Sequence, residues 1–534
     1  MTRLNGEAMA SSIANLVRLM RTGWVLARHD AFAGAETIDD LPPALRVGFR
    51  LIRWLGRRHP RGRKGLAAAI AELGPSYIKL GQFLATRADI IGSERAAELS
   101  KLQDKLPPFP RGVALEEIRK SLGSSPKALF DEIGPPIAAA SIAQVHKATV
   151  RDEDGTLRDV AIKVLRPGIE KHFARDLDTF YYAARMMERY NPPSRRLRPI
   201  KTVDMLAQSV KLEMDLRMEA AALSEMAENS RNDPGFRVPR VDWERTGQRV
   251  LTTEWIEGTP LSDVEGLRAR GVDFEQLGNT IIQTFLRHAI RDGFFHADMH
   301  QGNLFIDDDG LLVAVDFGIT GRLDMKDRRF LAEILWGFIT RDYQRVSNVH
   351  FQAGYVPLDQ SPQVFAQALR AIGEPLLDKP AEQISMARLL GQLFHVTEQF
   401  NMSTQPQLLL LQKTMVVVEG VARSFNPRLN MWETAEPVVR QWAEQHFGPS
   451  AYLHDAAEGA ATLGRFMSNL PEFFSEAERT AKLIADMAYA GGLKLDQATS
   501  EALAIAQARH NLTSRLALWI GALALAVLAL GQFM

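Results

Sequence analysis

The sequence predicts an α+β protein of two lobes, with helices ahead of the lobes and a membrane-spanning helix behind them. Three observations carry that expectation. Strand-like stretches cluster between residues 137 and 165 and recur at 250–256 and 311–315, with helical sequence between them. Beyond Lys326 the pattern is mostly helical, with breaks marked by Pro357, Pro375, Pro380 and Pro427. The last stretch, Leu516 to Met534, has Gln532 as its only strongly polar side chain. A helix of that length spans roughly 28 Å, about the hydrocarbon thickness of a bilayer.

Composition narrows the class. The chain has 534 residues, 46% hydrophobic and 24% charged, which excludes wholesale disorder. Lys and Arg number 64 and so do Asp and Glu, a balance that argues against a nucleic-acid binder. There is no cysteine, which removes disulfides, thiolate nucleophiles, Cys-ligated zinc and iron–sulfur clusters together.

Taken in order, the chain opens without a secretory signal: no uninterrupted apolar stretch follows Met1–Ala10. Residues 1–66 hold 12 Lys and Arg against 5 Asp and Glu. Arg46, Arg50, Arg53, Arg57, Arg58, Arg61, Arg63 and Lys64 follow one another without an acid, with Leu45, Phe49, Ile52 and Leu55 at helical spacing. Such a basic amphipathic helix suits anionic headgroups, and equally a helix packed on the protein with solvated arginines. Gly74-Pro75 precedes a helix starting at Ser76. A second helix spans Ser93 to Lys105 and stops at Pro107-Pro108. Pro135-Pro136 opens the strand region, where Asp154-Gly155 turns into the strand Val160–Leu165. Thr202 to Asn229 reads as one long helix. Val250 to Ile256 and Leu311 to Val315 read as strands. At the far end, Arg509 and Arg515 flank the entry to the apolar tail and place the preceding domain on the cytoplasmic side.

The chemistry concentrates in His296-Ala-Asp298-Met-His-Gln-Gly-Asn303, followed 13 residues later by Asp316-Phe317-Gly318. Phosphoryl transfer needs a carboxylate to orient the attacking hydroxyl, and an Asn and an Asp to hold divalent ions on the phosphates. Asp298 and Asn303 stand five apart, and Asp316 follows on the next hairpin, as in the protein-kinase pattern. The two lobes are therefore expected to be protein-kinase-like. Lys163 in Val160-Ala-Ile-Lys163 matches the lysine that grips the α- and β-phosphates. Its expected partner is Glu219. At 100° per residue, Glu213 and Glu219 on one helix point about 120° apart, so Glu213 needs a second cation. Asp215 lies beside it, and Lys79 upstream is the candidate. Glu254 and Ile256 fall where a linker between lobes would bind adenine by its backbone.

Two bland readings compete. His296 and His300 have the spacing of a zinc helix, but Ala297 stands where a zinc protease needs Glu, and Gly302 follows. His296 is then a buried histidine bracing the loop. The departures from an ordinary kinase are informative too. No G-x-G-x-x-G precedes Lys163; Ala138, Ala139, Ala140 and Ser141 stand there, followed by Gln144-Val-His146. Alanines resist the positive φ that lets glycines close over phosphates, so nucleotide positioning must differ. No A-P-E segment ends an activation loop, which makes a protein substrate doubtful.

These pieces together resemble the UbiB family of atypical kinases, the ADCK-like proteins of ubiquinone biosynthesis. The resemblance runs from about residue 66 to 330 through Lys79-Leu-Gly-Gln82, the alanine-rich loop, Lys163, Glu213-Met-Asp215 with Glu219, and the motifs from His296 to Gly318. It implies a bilobal protein-kinase-like fold with a KxGQ extension, made of Lys79 and Gln82, lying over the site where a peptide would bind. It implies ATP and Mg²⁺ as cofactors and ATPase or small-molecule kinase behaviour. On this reading Asp298, Lys163 and Glu219 are catalytic and Asn303 and Asp316 hold metal. The nucleotide rests on Ala138–Ser141, Lys163, Glu254 and Ile256. Lys79, Gln82, Glu213 and Asp215 are regulatory.

The expected organisation is a basic region at 1–65, the KxGQ extension at 66–135 and an N-lobe with inserted helices at 136–258. A helical C-lobe at 259–500 and an anchor at 516–534 complete it. The expected partners are membrane lipids, isoprenoid quinone precursors and other ubiquinone biosynthetic enzymes, with a homodimer left open and no nucleic acid. The expected place is the bacterial inner membrane, with the catalytic domain cytoplasmic. A nucleotide-gated scaffold and a true lipid kinase are the alternative functions.

Overall fold

The computed structural model describes residues 2–31, 65–85, 91–99, 102, 106–190, 195, 198–377, 396, 399–402 and 406–447. The basic stretch at 44–64 and the apolar tail at 516–534 lie outside the described residues. Among the described residues no helix is long and apolar enough to cross a membrane.

Helices come first: α1 (Thr2–Arg28), α2 (Leu66–Leu73), α3 (Pro75–Ala85), α4 (Ser93–Leu99), α5 (Arg111–Leu122) and α6 (Pro126–Leu129). Pro75 sits at the first position of α3, where its missing N–H costs nothing. Ile70 of α2, Ile78 of α3 and Leu99 of α4 bury their side chains in one small cluster. Helix α4 ends at Leu99, well short of the expected Lys105.

The N-terminal sheet is antiparallel, in the order β1 (Glu132–Ala139), β2 (Ala143–Arg151), β3 (Leu157–Leu165) and β5 (Val250–Glu254). The register of β1 shifts on either side of Pro136, because Pro135 and Pro136 cannot donate to a ladder. Strand alternation does the rest. Val160, Ile162 and Val164 are fully buried against Ile118 of α5, together with Val150 and Val250. Ala161 and Lys163 consequently face the opposite side of β3.

After β3 come α7 (Ile169–Tyr190), α8 (Pro199–Glu213) and α9 (Leu216–Asn229). The long helix expected over 202–229 is therefore two. Asp215 leaves the helical region at φ −116° and ψ 95°, and its side chain accepts from Arg217 N as the N-cap of α9. The N-cap preference of Asp breaks the helix here without Gly or Pro. Glu213 ends one helix and Glu219 belongs to the next, so the 120° argument does not apply across the break.

The second half begins with β4 (Phe236–Arg237), β6 (Gly258–Pro260), α10 (Val264–Ala269) and α11 (Phe274–Arg287). Next come β7 (Phe294–His296), β8 (Leu304–Asp307), β9 (Leu312–Ala314) and β10 (Thr320–Arg322). Strands β4, β9, β8 and β6 form one small sheet and β7 with β10 another. Gly321 of β10 lies opposite Phe295, and the buried Phe295 ring fills the space a Cβ would need. The helices α12 (Met325–Ile339), α13 (Tyr343–Gln352) and α14 (Pro362–Leu377) build a separate core around Tyr343, Val346 and Phe365. Finally α15 (Pro406–Phe425) and α16 (Met431–Phe447) return toward α11. Gly278 of α11 admits that approach: a Cβ there would press on Ala422 O and Leu429. Phe274 and Phe425 meet edge to face with ring centroids 5.3 Å apart.

A buried carboxylate fastens the lead-in to β7. Asp233 accepts from His288 Nε2 at 3.1 Å and Arg291 Nη1 at 2.5 Å, and its side chain is 1% exposed. Burial alone would raise its pKa, but His288 and Arg291 outweigh that and hold it at about 2. A carboxyl held down in the folded state contributes stability above its ordinary pKa of 3.8 and loses it as pH falls toward 2. Asp233→Asn should cost about 2 kcal/mol at pH 7 in urea titrations. The gap to wild type should shrink between pH 4 and 2; a gap independent of pH would remove the carboxylate from this account.

Candidate active site

Lys163 stands at the centre of the cleft. Its Nζ donates to Glu219 Oε1 at 2.8 Å, to Glu219 Oε2 at 3.0 Å and to Asp316 Oδ1 at 2.8 Å. Burial alone would lower the ammonium's pKa, but the Asp316 and Glu219 carboxylates outweigh it and the net direction is up. Glu219 moves the other way from most paired acids. Its burial and the nearby Asp316 charge exceed the pull of Lys163, and its pKa rises to about 7. For Asp316 burial also pushes up, but Lys163, helped by Lys79, holds the carboxyl well below the usual range. The Asp316 side chain is 47% exposed, so water screens part of this attraction. Its backbone lies in the left-handed region at φ 63°, a conformation Asp tolerates better than most residues.

One histidine joins the two loops. His296 Nδ1 accepts from Asp298 N at 3.0 Å, so the Nε2 proton goes to Val315 O at 3.0 Å. Burial lowers the pKa of His296 and keeps it neutral, the form this arrangement requires. The Phe317 ring packs on it at 4.5 Å, and Ala297 N donates to Ile319 O. The loop holding Asp298 and the turn holding Asp316 are thus one unit. Asn303 completes it: its Nδ2 donates to Asp298 O at 3.1 Å, and its carbonyl accepts from Val315 N. With its nitrogen spent, the Asn303 amide has its oxygen left for a ligand. Asp298 itself is 37% exposed, with His300 Nε2 at 3.8 Å.

Among the described residues no three His, Asp or Glu side chains form a metal cluster. One carboxylate at Asp316 and one amide oxygen at Asn303 suit Mg²⁺ all the same. That ion takes few protein oxygens and completes its shell with water and phosphate. The zinc alternative finds no support here, since His296 spends both ring nitrogens on backbone groups.

The alanine-rich loop is fastened from three sides. Arg166 donates to Ala140 O and Pro107 O, and Leu106 N donates to Ala139 O. Gln144 clasps Phe109 through both N–H and C=O and donates to His146 Nε2, whose Nδ1 donates to Gly134 O. Ala138 and Ala139 end β1, Ser141 is fully buried, and no residue from 138 to 141 has a positive φ. Glu254 closes β5; its carboxylate accepts from Arg237 Nη1 and Arg240 N, and its backbone N–H donates to Arg240 O. Ile256 follows in the link to β6.

The extension reaches this centre through Lys79, which pairs with Glu213 at 2.6 Å, both side chains about nine-tenths buried. Asp215, expected beside them, serves otherwise: its carboxylate accepts from Arg217 Nε and Nη2 while capping α9. Gln82 lies on α3 with its Oε1 buried and without a hydrogen-bond partner among the described residues. Two contacts were not anticipated from sequence. Thr414 of α15 donates to Ala297 O at 3.2 Å, and Gln301 Nε2 donates to Ser424 Oγ at 2.8 Å. Arg166 was missed as well. A lone arginine after a strand carries no spacing signal.

Removing one partner of a buried pair leaves a charge uncompensated. Lys79→Met should therefore lower stability by about 3 kcal/mol in urea titrations. Lys79→Met with Glu213→Leu should recover most of that loss, and equal losses in the single and double variants would deny the pair its role.

Residues 101–350 match the ABC1 atypical kinase-like domain and residues 369–430 the UbiB helical domain. A probable protein kinase UbiB of Marinobacter nauticus is 38% identical over 483 residues, 89% of this chain and 85% of the relative. Another from Aeromonas salmonicida is 38% identical over 84% of each chain. A solved Mycobacterium tuberculosis structure, Rv3197 with erythromycin, is 23% identical with a TM-score of 0.49, covering 74% of this chain and 98% of that one.

Proposed function

The chain belongs to the UbiB family of ABC1 atypical kinases, which implicates it in ubiquinone biosynthesis, and from that footing we propose that it is a membrane-held, ATP-consuming enzyme of this pathway. The observation that carries the reading is the convergence of Lys163, Glu219 and Asp316 beside the loop of Asp298 and Asn303. Lys163 holds the α- and β-phosphates, and Glu219 keeps its ammonium in place. Asn303 and Asp316 would hold Mg²⁺, which would neutralise charge on the phosphates. Asp298 orients the attacking hydroxyl and takes its proton as the new O–P bond forms, while the bond from the γ-phosphorus to the bridging oxygen breaks and ADP leaves.

The acceptor is water or the hydroxyl of an isoprenoid quinone precursor. The apolar tail at 516–534 anchors the enzyme beside that lipid, at the cytoplasmic face of a bacterial inner membrane. A second reading, a nucleotide-gated scaffold for the pathway's enzymes, is favoured by the fastened alanine loop, which suits holding a nucleotide as much as turning it over.

Purified full-length protein should hydrolyse ATP faster with vesicles that carry a phenolic isoprenoid. Asp298→Asn should reduce turnover by about 10²-fold or more with ATP binding retained, and Asp316→Asn should lose Mg²⁺-dependent ATP binding. Labelled γ-phosphate in the lipid fraction would select a lipid acceptor. Asp298→Asn that still supports growth on respiratory substrates would favour the scaffold, and wild-type protein that binds no nucleotide would end both readings.

A further inference from the structure

The loop from His296 to Asn303 contains no Lys or Arg, yet a transferring phosphoryl group spreads negative charge that needs a cation on the acceptor side. Lys163 is engaged by Glu219 and Asp316, and Lys79 by Glu213. A third lysine comes from α15. Lys413 precedes Thr414, whose hydroxyl donates to Ala297 O, one residue before Asp298. Eleven residues separate Lys413 from Ser424, about 20° beyond three full turns, so the two share one flank of α15. Ser424 accepts from Gln301, so that flank runs beside the catalytic loop. Val417 and Gly420 lie between them on the same flank, and a Cβ at Gly420 would meet open space. The stripe therefore borders open space at Gly420 and Ser424, and Lys413 on it is half-buried. Lys413 makes no ion pair within 4.0 Å among the described residues.

We infer that Lys413 binds the terminal phosphate of the nucleotide, a cation that α15 supplies across the cleft from Lys163. The inference rests on reading the cleft as a nucleotide site. The charges around it agree: burial lowers the Lys413 pKa, the Asp298 carboxylate opposes that, and Lys79 adds to it. A half-buried ammonium without a close counter-ion gains most when an anion arrives. The same role explains why a helix more than a hundred residues downstream is pinned to the loop backbone at Ala297 and again at Gln301.

The ratio of Mg-ATP to Mg-ADP affinity isolates the terminal phosphate, and a purely structural lysine would not move it. Both affinities are measured on the full-length chain by displacement of a fluorescent nucleotide. Lys413→Met should weaken Mg-ATP about tenfold or more, with Mg-ADP changed by less than about twofold, and Lys413→Arg should keep most of the ATP preference. Unchanged Mg-ADP binding doubles as the test of folding; if Lys413→Met loses both nucleotides, Lys413→Gln is read by the same ratio. An ATP preference equal to wild type in both variants, with Lys163→Met losing both nucleotides, overturns this inference alone. Wild-type protein that binds neither nucleotide overturns the nucleotide site and this inference with it.

Discussion

The ammonium of Lys163 between Glu219 and Asp316 is the interaction on which the rest of the cleft depends. It joins three parts of the chain that are far apart in sequence: a strand of the N-terminal sheet, the helix after the break at Asp215, and the turn following β9. Strand alternation points Lys163 away from the Ile162 and Val164 core. A cation with no apolar face to settle on must find carboxylates, and the two it finds fix the distance between the sheet and the second half of the molecule.

The catalytic loop gets its rigidity from a different source. A neutral His296 serves two backbone groups, one on its own loop and one just before Asp316. Neither Asp298 nor Asp316 can shift alone without breaking a buried hydrogen bond, and such breaks are costly. Helix α15 adds a third support from Thr414. Helix α15 is thereby part of the site's construction, since Thr414 satisfies a backbone carbonyl just before Asp298.

Much of this was legible in the sequence, and the reasons differ by residue. The strand around Lys163 and the spacing of Asp298, Asn303 and Asp316 are local patterns, and local patterns survive folding. The pairing of Glu213 with Lys79 was expected from the helical phase between Glu213 and Glu219, an argument that the break at Asp215 removes, although the pair itself forms. The break between α8 and α9 was not readable. Nothing but the capping preference of Asp215 marks it, and the apolar rhythm continues through. Thr414, Ser424 and Arg166 were invisible for the opposite reason: their partners are backbone carbonyls or loop side chains far along the chain, and no spacing records such a contact.

Counting charge in the cleft explains why Glu219 behaves unlike an ordinary ion-paired acid. Glu213, Glu219, Asp298 and Asp316 face Lys79, Lys163 and Lys413, four carboxylates against three ammonium groups. A surplus negative charge in a partly buried space is costly, and the most buried acid with the most shared lysine bears it. At Glu219 burial raises the pKa most and the Asp316 charge adds to it, while Lys163, divided between Glu219 and Asp316, opposes both, so the pKa rises to about 7. A bare triphosphate entering this cleft would deepen the surplus. A divalent cation beside Asp316 would cancel it, weaken the claim of Asp316 on Lys163, and return Glu219 to a carboxylate with a lysine of its own. The charges around Lys163 thus favour a cation arriving together with any phosphate ligand.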